Sequence, residues 1–211
     1  MPSNKCSLSE GQQRYLMDLA LASIRHGLKH GSPVPVDLTG LAAELKSLRA
    51  TFVTLQIQGQ LRGCIGRLEA GRPLAEDIAD NAYAAAFQDP RFPPLRENEL
   101  EGLEIHLSLL TPAEPMEFTS EQNLLDQLQP GVDGLILAEG SRRGTFLPSV
   151  WEQLPTPGEF LEHLKRKAGL PASHWSDSLK VWRYRTEVVE KSGYQLKAGH
   201  DQGLPLSLIH I

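Results

Sequence analysis

The sequence of 211 residues is long enough for one domain, or two closely joined subdomains, with a buried core that needs no disulfide staples. Its net charge of −5 disfavours binding to phosphate backbones. Two isolated cysteines, no signal-peptide pattern and no apolar run near the roughly 20 residues of a membrane helix lead us to expect a cytoplasmic protein that does not enter the membrane.

The first third of the chain predicts two helices and a hairpin. Ser9 and Gln12 fit a capping box, and the apolar residues that follow recur at helical spacing until Gly27. Leucines between residues 38 and 48 suggest a shorter helix. The β-rich run over 51–57, a turn at 58–60 and the segment up to residue 66 then predict a β-hairpin.

The middle of the chain predicts a helix followed by a strand. Pro73 suits a first helical position, and an apolar stripe of small residues continues until the helix should stop near Asp89 and Pro90. Residues 103–109 alternate between apolar and polar, which predicts a strand with one buried face. His106 belongs to the other face.

The last third predicts a second hairpin, a helix and a strand. Segments 134–138 and 145–147 flank a glycine-bearing basic loop. Thr156 and Glu159 cap a helix that Gly169 closes, and residues 180–189 favour one strand with Trp182 and Tyr184 on the same face. Interspersed hairpins and helices favour an α+β fold with antiparallel or mixed sheets over a doubly wound parallel sheet.

Familiar catalytic signatures are missing from the sequence. It contains no phosphate-binding glycine loop, no nucleophile elbow, no zinc-protease helix motif and no dinucleotide fingerprint. Two cysteines cannot ligate an iron–sulfur cluster or a thiolate zinc site by themselves. The sequence therefore assigns no cofactor and no metal.

The segment Leu61–Gly66 is the strongest candidate site. Strand alternation places Arg62 and Cys64 on one face, with Leu61 and Ile65 on the other. A guanidinium near a thiol favours the thiolate, which attacks electrophiles. This segment therefore predicts a reactive cysteine.

Gly63 and Gly66 allow a ligand or another backbone to approach Cys64 closely. The competing interpretation is that Cys64 is a small buried hydrophobic residue and that the glycines serve packing. The residues alone leave both interpretations open.

Other candidate residues accompany the cysteine. Among the histidines that could serve as its base, His106 is preferred over His163 and His174 because it lies on the polar face of a predicted strand. Within the proline-rich segment 89–94, Asp89 can accept hydrogen bonds from the loop or from Arg91. Arg91 is either a salt-bridged corner residue or a fork for an anionic substrate.

Arg143, in the basic hairpin loop, raises the same question as Arg91, although solvated arginines are common in such loops. An anionic substrate could be oriented by either arginine. We predict both as substrate-binding residues, together with Gly63, Gly66 and Asp89.

Seven segments in order resemble the AMMECR-one domain family, and the resemblance covers roughly residues 10 to 190. The segment Leu61–Gly66, with the sequence Leu-Arg-Gly-Cys-Ile-Gly, matches the hallmark of that family without departure. The other six segments are 52–55, 89–94, 107–111, 131–137, 144–148 and 160–169.

The resemblance implies an α+β fold with a larger and a smaller subdomain around a cleft. We assign the whole domain, with both subdomains, to residues 8–191. Residues 192–211 are expected to be a flexible or non-native tail. The resemblance also implies protein partners, because family members are often linked with a MEMO-like protein and a radical S-adenosylmethionine protein. It transfers no settled activity.

Two functions follow as hypotheses. In the first, the protein is an enzyme or enzyme component in which Cys64 is a nucleophile or redox thiol, Arg62 tunes it and His106 is the base. In the second, it is a non-catalytic adaptor for those partners and Cys64 is buried and inert. An accessible, reactive Cys64 would distinguish the first from the second.

Overall fold

A computed structural model describes residues 7–189 of the chain. They form two compact units. The first comprises the described parts of Met1–Leu110 and Glu187–Ile211, and the second is Thr111–Thr186. The predicted tail 192–211 lies outside the described residues.

The first unit begins with the predicted capped helix. Ser9 and Gln12 form the capping box, and α1 (Glu10–His30) continues past Gly27 until Gly31 ends it in a left-handed conformation. Gly27 lies within the helix, and the absence of a side chain at this position leaves room for the ring of Phe87. The other helices of this unit are α2 (Ala43–Lys46) and α3 (Leu74–Phe87), with a 3-10 turn at Glu97–Glu99.

The prediction of a shorter helix over residues 38–48 was mostly wrong. Only the single turn of α2 is helical, and Ser47 then turns to extended backbone. Leu48 is 63% exposed and forms an isolated bridge with Pro73 instead of continuing an apolar helix face. The spacing of the leucines therefore predicted a longer helix than the structure contains.

The first sheet contains the predicted hairpin. Its strands are β1 (Thr51–Ile57), β2 (Gln60–Gly66), β3 (Leu103–Leu110) and β8 (Thr186–Val189), in the order β2-β1-β3-β8. Gln58 and Gly59 make the two-residue turn with positive φ angles of 53° and 73°, as a twist-matched hairpin turn requires. The strand β2 is an edge of the sheet.

One face of this sheet packs into the hydrophobic core. Val53, Leu55 and Leu107 are fully buried there, in the same cluster as Leu16 of α1 and Ile78 of α3. Since side chains alternate along a strand, Thr54 of β1 and His106 of β3 lie on the opposite face. We call this second face the polar face.

The second unit carries its own sheet and core. Its strands are β4 (Glu114–Pro115), β5 (Gly134–Glu139), β6 (Arg142–Phe146) and β7 (Lys180–Tyr184), in the order β4-β7-β5-β6. The hairpin β5–β6 and the helix α5 (Pro157–Lys167), capped by Thr156, confirm the predictions. In the core of this unit, Trp151 stacks on Phe160 of α5. Trp151 belongs to the 3-10 segment Pro148–Glu152.

The strand predicted over 180–189 is two strands. At Arg185 the backbone N–H donates to the Thr111 hydroxyl and the carbonyl accepts from the Thr111 N–H, so this residue pairs outside the strand ladders. β7 belongs to the second sheet and β8 to the first. Trp182 and Tyr184 share a face of β7, as predicted, opposite Ile136 and Gly134.

The helix α4 (Glu121–Gln127) was not predicted. Two antiparallel sheets with flanking helices nonetheless confirm the α+β class.

Candidate functional site

A β-bulge decides which way Cys64 faces. Continuing the tight hairpin register without a bulge would pair Cys64 with Val53 and turn it into the core. The register shifts between Leu55 and Gln56, so that Cys64 instead lies opposite Thr54 on the polar face. The extra residue in β2 is Arg62. Leu61, before the shift, lies opposite Gln56 on the face of Thr54, whereas Ile65, after it, lies opposite Val53 on the core face. The prediction that Leu61 shares a face with Ile65 was therefore wrong.

Cys64, Thr54 and His106 form a row across three strands of the polar face. Thr54 lies opposite Cys64 on one side and opposite His106 on the other. The Thr54 hydroxyl donates a hydrogen bond to the Cys64 sulfur at 3.2 Å. Cys64 is half-buried rather than enclosed. In general, a hydroxyl donor stabilises negative charge on sulfur. The Thr54–Cys64 hydrogen bond is therefore the feature of the site that bears most directly on cysteine chemistry.

The backbone of Cys64 is held by a side-chain pair. Its N–H donates to Asp89 Oδ2 at 2.9 Å, and its carbonyl accepts from Arg91 Nη2 at 3.2 Å. Because β2 is an edge strand, Asp89 and Arg91 supply the hydrogen bonds that a further strand would otherwise make. We call this arrangement the Asp89–Arg91 clamp.

The clamp is internally paired. Arg91 donates from Nε to Asp89 Oδ1 at 2.9 Å and from Nη2 to Oδ2 at 2.7 Å, while the Asp89 side chain is 2% exposed. These hydrogen bonds from Arg91 hold the pKa of the Asp89 carboxyl well below its usual range, against the opposing effect of burial. Asp89 is therefore a charged, buried acceptor for Arg91 and for the Cys64 amide.

The Arg62 guanidinium binds a carboxylate next to the clamp. Its Nε and Nη2 donate to Glu99 at 2.7 and 3.0 Å, and Nη2 also donates to the Pro93 carbonyl. These bonds from Arg62 lower the pKa of Glu99. Both Arg62 and Arg91 lie against the Phe92 ring, at 6.0 and 5.5 Å from its centroid. The two arginines thus fasten segment 89–99 along β2.

The two glycines of the motif are sites of close packing. A Cβ at Gly63 would lie 2.1 Å from the Ala85 carbonyl oxygen of α3, and a Cβ at Gly66 would lie 2.3 Å from the Phe52 ring. Gly63 lets the helix reach the sheet, and Gly66 lets Phe52 lie beside the Cys64 row. In the structure these glycines make room for protein atoms.

His106 is half-buried, with its Nε2 4.0 Å from Glu104 Oε2. Strands lie about 4.8 Å apart, which puts β2 and β3 about 10 Å from each other across β1. His106 is consequently in the row of Cys64 but beyond direct hydrogen-bond reach of the sulfur.

The remaining candidate residues belong to the second unit. Arg143 is exposed on β6, opposite Ala138, so the prediction that it lies in the hairpin loop was wrong. His163 is exposed on α5, with Nε2 3.4 Å from Arg166. His174 Nε2 is 2.6 Å from Glu139 Oε2, and hydrogen bonds from Ser176 and then Ser178 lower the pKa of Glu139.

Sequence reasoning did not identify Thr54 or Glu99. Thr54 could be found only by locating the bulge, because the plain hairpin register pairs it with Gly63. Glu99 lies 37 residues from its partner Arg62, and no local pattern connects them.

Residues 7–189 contain no helix long and apolar enough to cross a membrane. Over the same range, no group of three or more histidine, cysteine or acidic side chains is placed to hold a metal ion.

The fold and the clamped cysteine motif define an α+β protein of two units with a cysteine on a polar sheet face. The AMMECR1 family model matches residues 17–189. A protein from Methanothermobacter thermautotrophicus is 36% identical over 190 residues, covering 88% of this chain and 97% of the relative. A Thermotoga maritima protein is 38% identical over 170 residues, covering 80% and 92%.

Among solved structures, the crystal structure of uncharacterized protein PH0010 from Pyrococcus horikoshii matches with a TM-score of 0.73 at 32% identity. The match covers 86% of this chain and 92% of that one. The chain belongs to the AMMECR1 family.

Proposed function

We propose that this protein is an enzyme, or a component of one, that acts on a small molecule or a modification through the Cys64 thiol. We further propose that it works in the cytoplasm beside a MEMO-like protein and a radical S-adenosylmethionine protein. The observation that supports this proposal best is the hydrogen bond from Thr54 to the Cys64 sulfur, within a row that ends at His106.

The chemistry best suited to this row is nucleophilic addition. The Cys64 thiol loses its proton to solvent, and its electron pair forms a sulfur–carbon bond with an electrophilic carbonyl carbon of the substrate. The carbonyl π pair moves to oxygen, which takes a proton from solvent. One proton is lost and one is gained, so the addition needs no further reactant.

The spacing of the row sets the role of His106. Because about 10 Å separate β2 from β3, His106 reaches the substrate rather than the sulfur. A substrate therefore lies across Thr54, with its electrophilic carbonyl group at Cys64 and a second polar group, several bonds away, hydrogen-bonded to His106. The half-buried polar face provides the surface for such a substrate.

The clamp residues are proposed to position the nucleophile. Asp89 fixes the Cys64 amide and Arg91 its carbonyl, so the thiol is presented from a constrained backbone. The Arg91 side chain is still 54% exposed, and its outer edge can orient an anionic group of the substrate. Arg62, bound to Glu99, acts by holding segment 89–99.

One observation favours the adaptor hypothesis as the second candidate. Both motif glycines pack against protein atoms, at Ala85 and at Phe52, which is what a purely architectural motif requires. In that case Cys64 serves packing, and the protein presents a surface to its partners.

The two candidates differ in what happens to Cys64. The test is to incubate purified protein with the small-molecule fraction of a cell extract and to compare intact masses of the wild type, Cys64→Ser and Cys6→Ser. The enzyme proposal predicts a covalent adduct on the wild type and on Cys6→Ser but not on Cys64→Ser. Adduct formation that requires Cys6, or none at all, while the MEMO-like protein binds wild type and Cys64→Ser alike, supports the adaptor.

A further inference from the structure

Two histidines lie against each other at the C-terminal end of α1. His26 and His30 are four residues apart, so they share one face of the helix, and their ring centroids are 4.4 Å apart. His26 is partly buried and His30 is exposed. Neither residue belongs to the Cys64 row or to its clamp.

A backbone carbonyl fixes the tautomer of His26. Its Nδ1 lies 2.8 Å from the Ser32 carbonyl oxygen, which can only accept, so Nδ1 carries a proton and donates it. In the neutral ring the lone pair is therefore on Nε2. Histidines that bind metals usually donate from their other ring nitrogen in this way, because the hydrogen bond fixes both the tautomer and the ring orientation. His26 thus offers Nε2 as a metal ligand.

His30 provides the second ligand of a pair. Within residues 7–189 its ring contacts His26 and makes no hydrogen bond or ion pair, so its nitrogens are available. Two histidines four residues apart on one helix face are a known pair of ligands for a single ion. The C-terminal end of a helix also carries partial negative charge, which favours a bound cation.

The spacing of the two rings indicates which coordination geometry fits. With metal–nitrogen bonds of about 2.0 Å, each ring centroid lies about 3.2 Å from the metal, so centroids 4.4 Å apart correspond to a nitrogen–metal–nitrogen angle of about 90°. Octahedral and square-planar ions use this angle, whereas a tetrahedral ion needs the rings further apart. Among the divalent ions that imidazole suits, Ni²⁺ and Cu²⁺ prefer such geometries.

We infer that His26 and His30 together bind a divalent transition-metal ion that prefers bond angles of 90°, as Ni²⁺ does. Two ligands from the protein leave the other coordination positions to water, so this is an open site and not a closed structural one. Mg²⁺, which takes oxygen ligands, should not bind there.

The experiment is a titration of ¹⁵N-labelled full-length protein with Ni²⁺ at about pH 7.5, because imidazole must be neutral to bind a metal. Ni²⁺ is the probe, since Cu²⁺ would oxidise the thiols. Six-coordinate Ni²⁺ is paramagnetic, and we expect it to broaden the amide signals around His26 and His30 at the lowest concentrations. Mg²⁺ should leave the same signals unchanged.

Three variants test the assignment to this pair. His26→Ala and His30→Ala should each weaken Ni²⁺ binding by at least about tenfold, because the second imidazole no longer adds intramolecularly. Lys29→Gln removes a neighbouring positive charge, keeps both ligands and should bind at least as tightly as the wild type. The spectra also report whether each variant is folded.

His163 is the internal reference, because it is an exposed helical histidine with no histidine one turn away. Signals around His163 should broaden only at higher Ni²⁺ concentrations. Unchanged binding by His30→Ala, or broadening around His163 at the same concentration, would mean an adventitious ion only and would overturn the inference.

Discussion

The buried carboxylate of Asp89 accepts a hydrogen bond from the backbone N–H of Cys64 at 2.9 Å. The same carboxylate is held by Arg91, whose guanidinium reaches on to the Cys64 carbonyl. A side-chain ion pair thus takes the place of a neighbouring strand at Cys64.

Asp89→Asn should destabilise the protein and loosen the motif. The amide keeps the shape of the carboxylate but loses its charge, and we expect a loss of about 2 kcal/mol in the free energy of unfolding. Urea denaturation measures that loss, and hydrogen exchange at the Cys64 amide should become faster. Unchanged exchange would show that the clamp does not constrain Cys64.

The stability of the protein should fall in acid. Arg91 lowers the pKa of Asp89 in the folded state, and Arg62 lowers that of Glu99. The contributions of both carboxylates are therefore present above their unfolded pKa values of about 4 and are lost progressively as the pH falls from there through the lowered folded values. Asp89→Asn should therefore lose less stability than the wild type between about pH 5 and pH 3.

Asp77 should change the pH dependence of the folding stability in the opposite direction. Burial raises the pKa of its carboxyl, although the Thr51 hydroxyl donates to it at 2.6 Å. Its contribution is present at low pH and is lost as the pH rises through its raised folded value. Asp77→Asn should consequently make the loss of stability in acid steeper, and a shallower pH dependence would contradict this assignment.

Gly63→Ala should be severely destabilising. The added methyl group would meet the Ala85 carbonyl oxygen at 2.1 Å, and backbone on both sides cannot move aside cheaply. We expect a cost of about 3 kcal/mol or more in thermal or urea unfolding. Gly71→Ala is the matched control, because its Cβ would meet nothing within 4 Å. Similar stabilities for the two variants would mean that α3 does not pack on β2 as described.

Thr54→Val should slow the reaction of Cys64 while preserving the sheet. Valine has nearly the shape of threonine but cannot donate to sulfur, and we expect alkylation near neutral pH to slow by about two- to tenfold. Ser108→Ala, on the same face one row away, is the control. Equal rates for wild type and Thr54→Val would remove Thr54 from the site.

Local patterns predicted the elements that local chemistry specifies. The capping residues Ser9 and Thr156 begin their helices as predicted, and the Gln58-Gly59 turn closes the first hairpin. The helix α4 was missed because it has only seven residues, of which Leu124 alone is buried. The break at Arg185 depends on bonds to Thr111, 74 residues earlier, so the strand pattern could not reveal it.

The site was only partly predictable for the same reason. The motif, the polar face of His106 and the hydrogen-bonding role of Asp89 could be predicted from residue types. The bulge at Arg62 could not, although it decides whether Cys64 faces the core or Thr54. The pairing of Arg62 with Glu99 likewise depends on how segment 89–99 returns along β2.

The proposed reactivity of the Cys64 thiol can be measured as the iodoacetamide alkylation rate at Cys64 in a Cys6→Ser background. Peptide mass spectrometry gives that rate in the folded protein and in urea. We predict that folded Cys64 reacts at least as fast as the unfolded thiol near neutral pH, because Thr54 donates a hydrogen bond to the sulfur and the clamp holds the residue on a half-buried face. Reaction only after unfolding would show that Cys64 is inert in the folded protein, as the adaptor hypothesis requires.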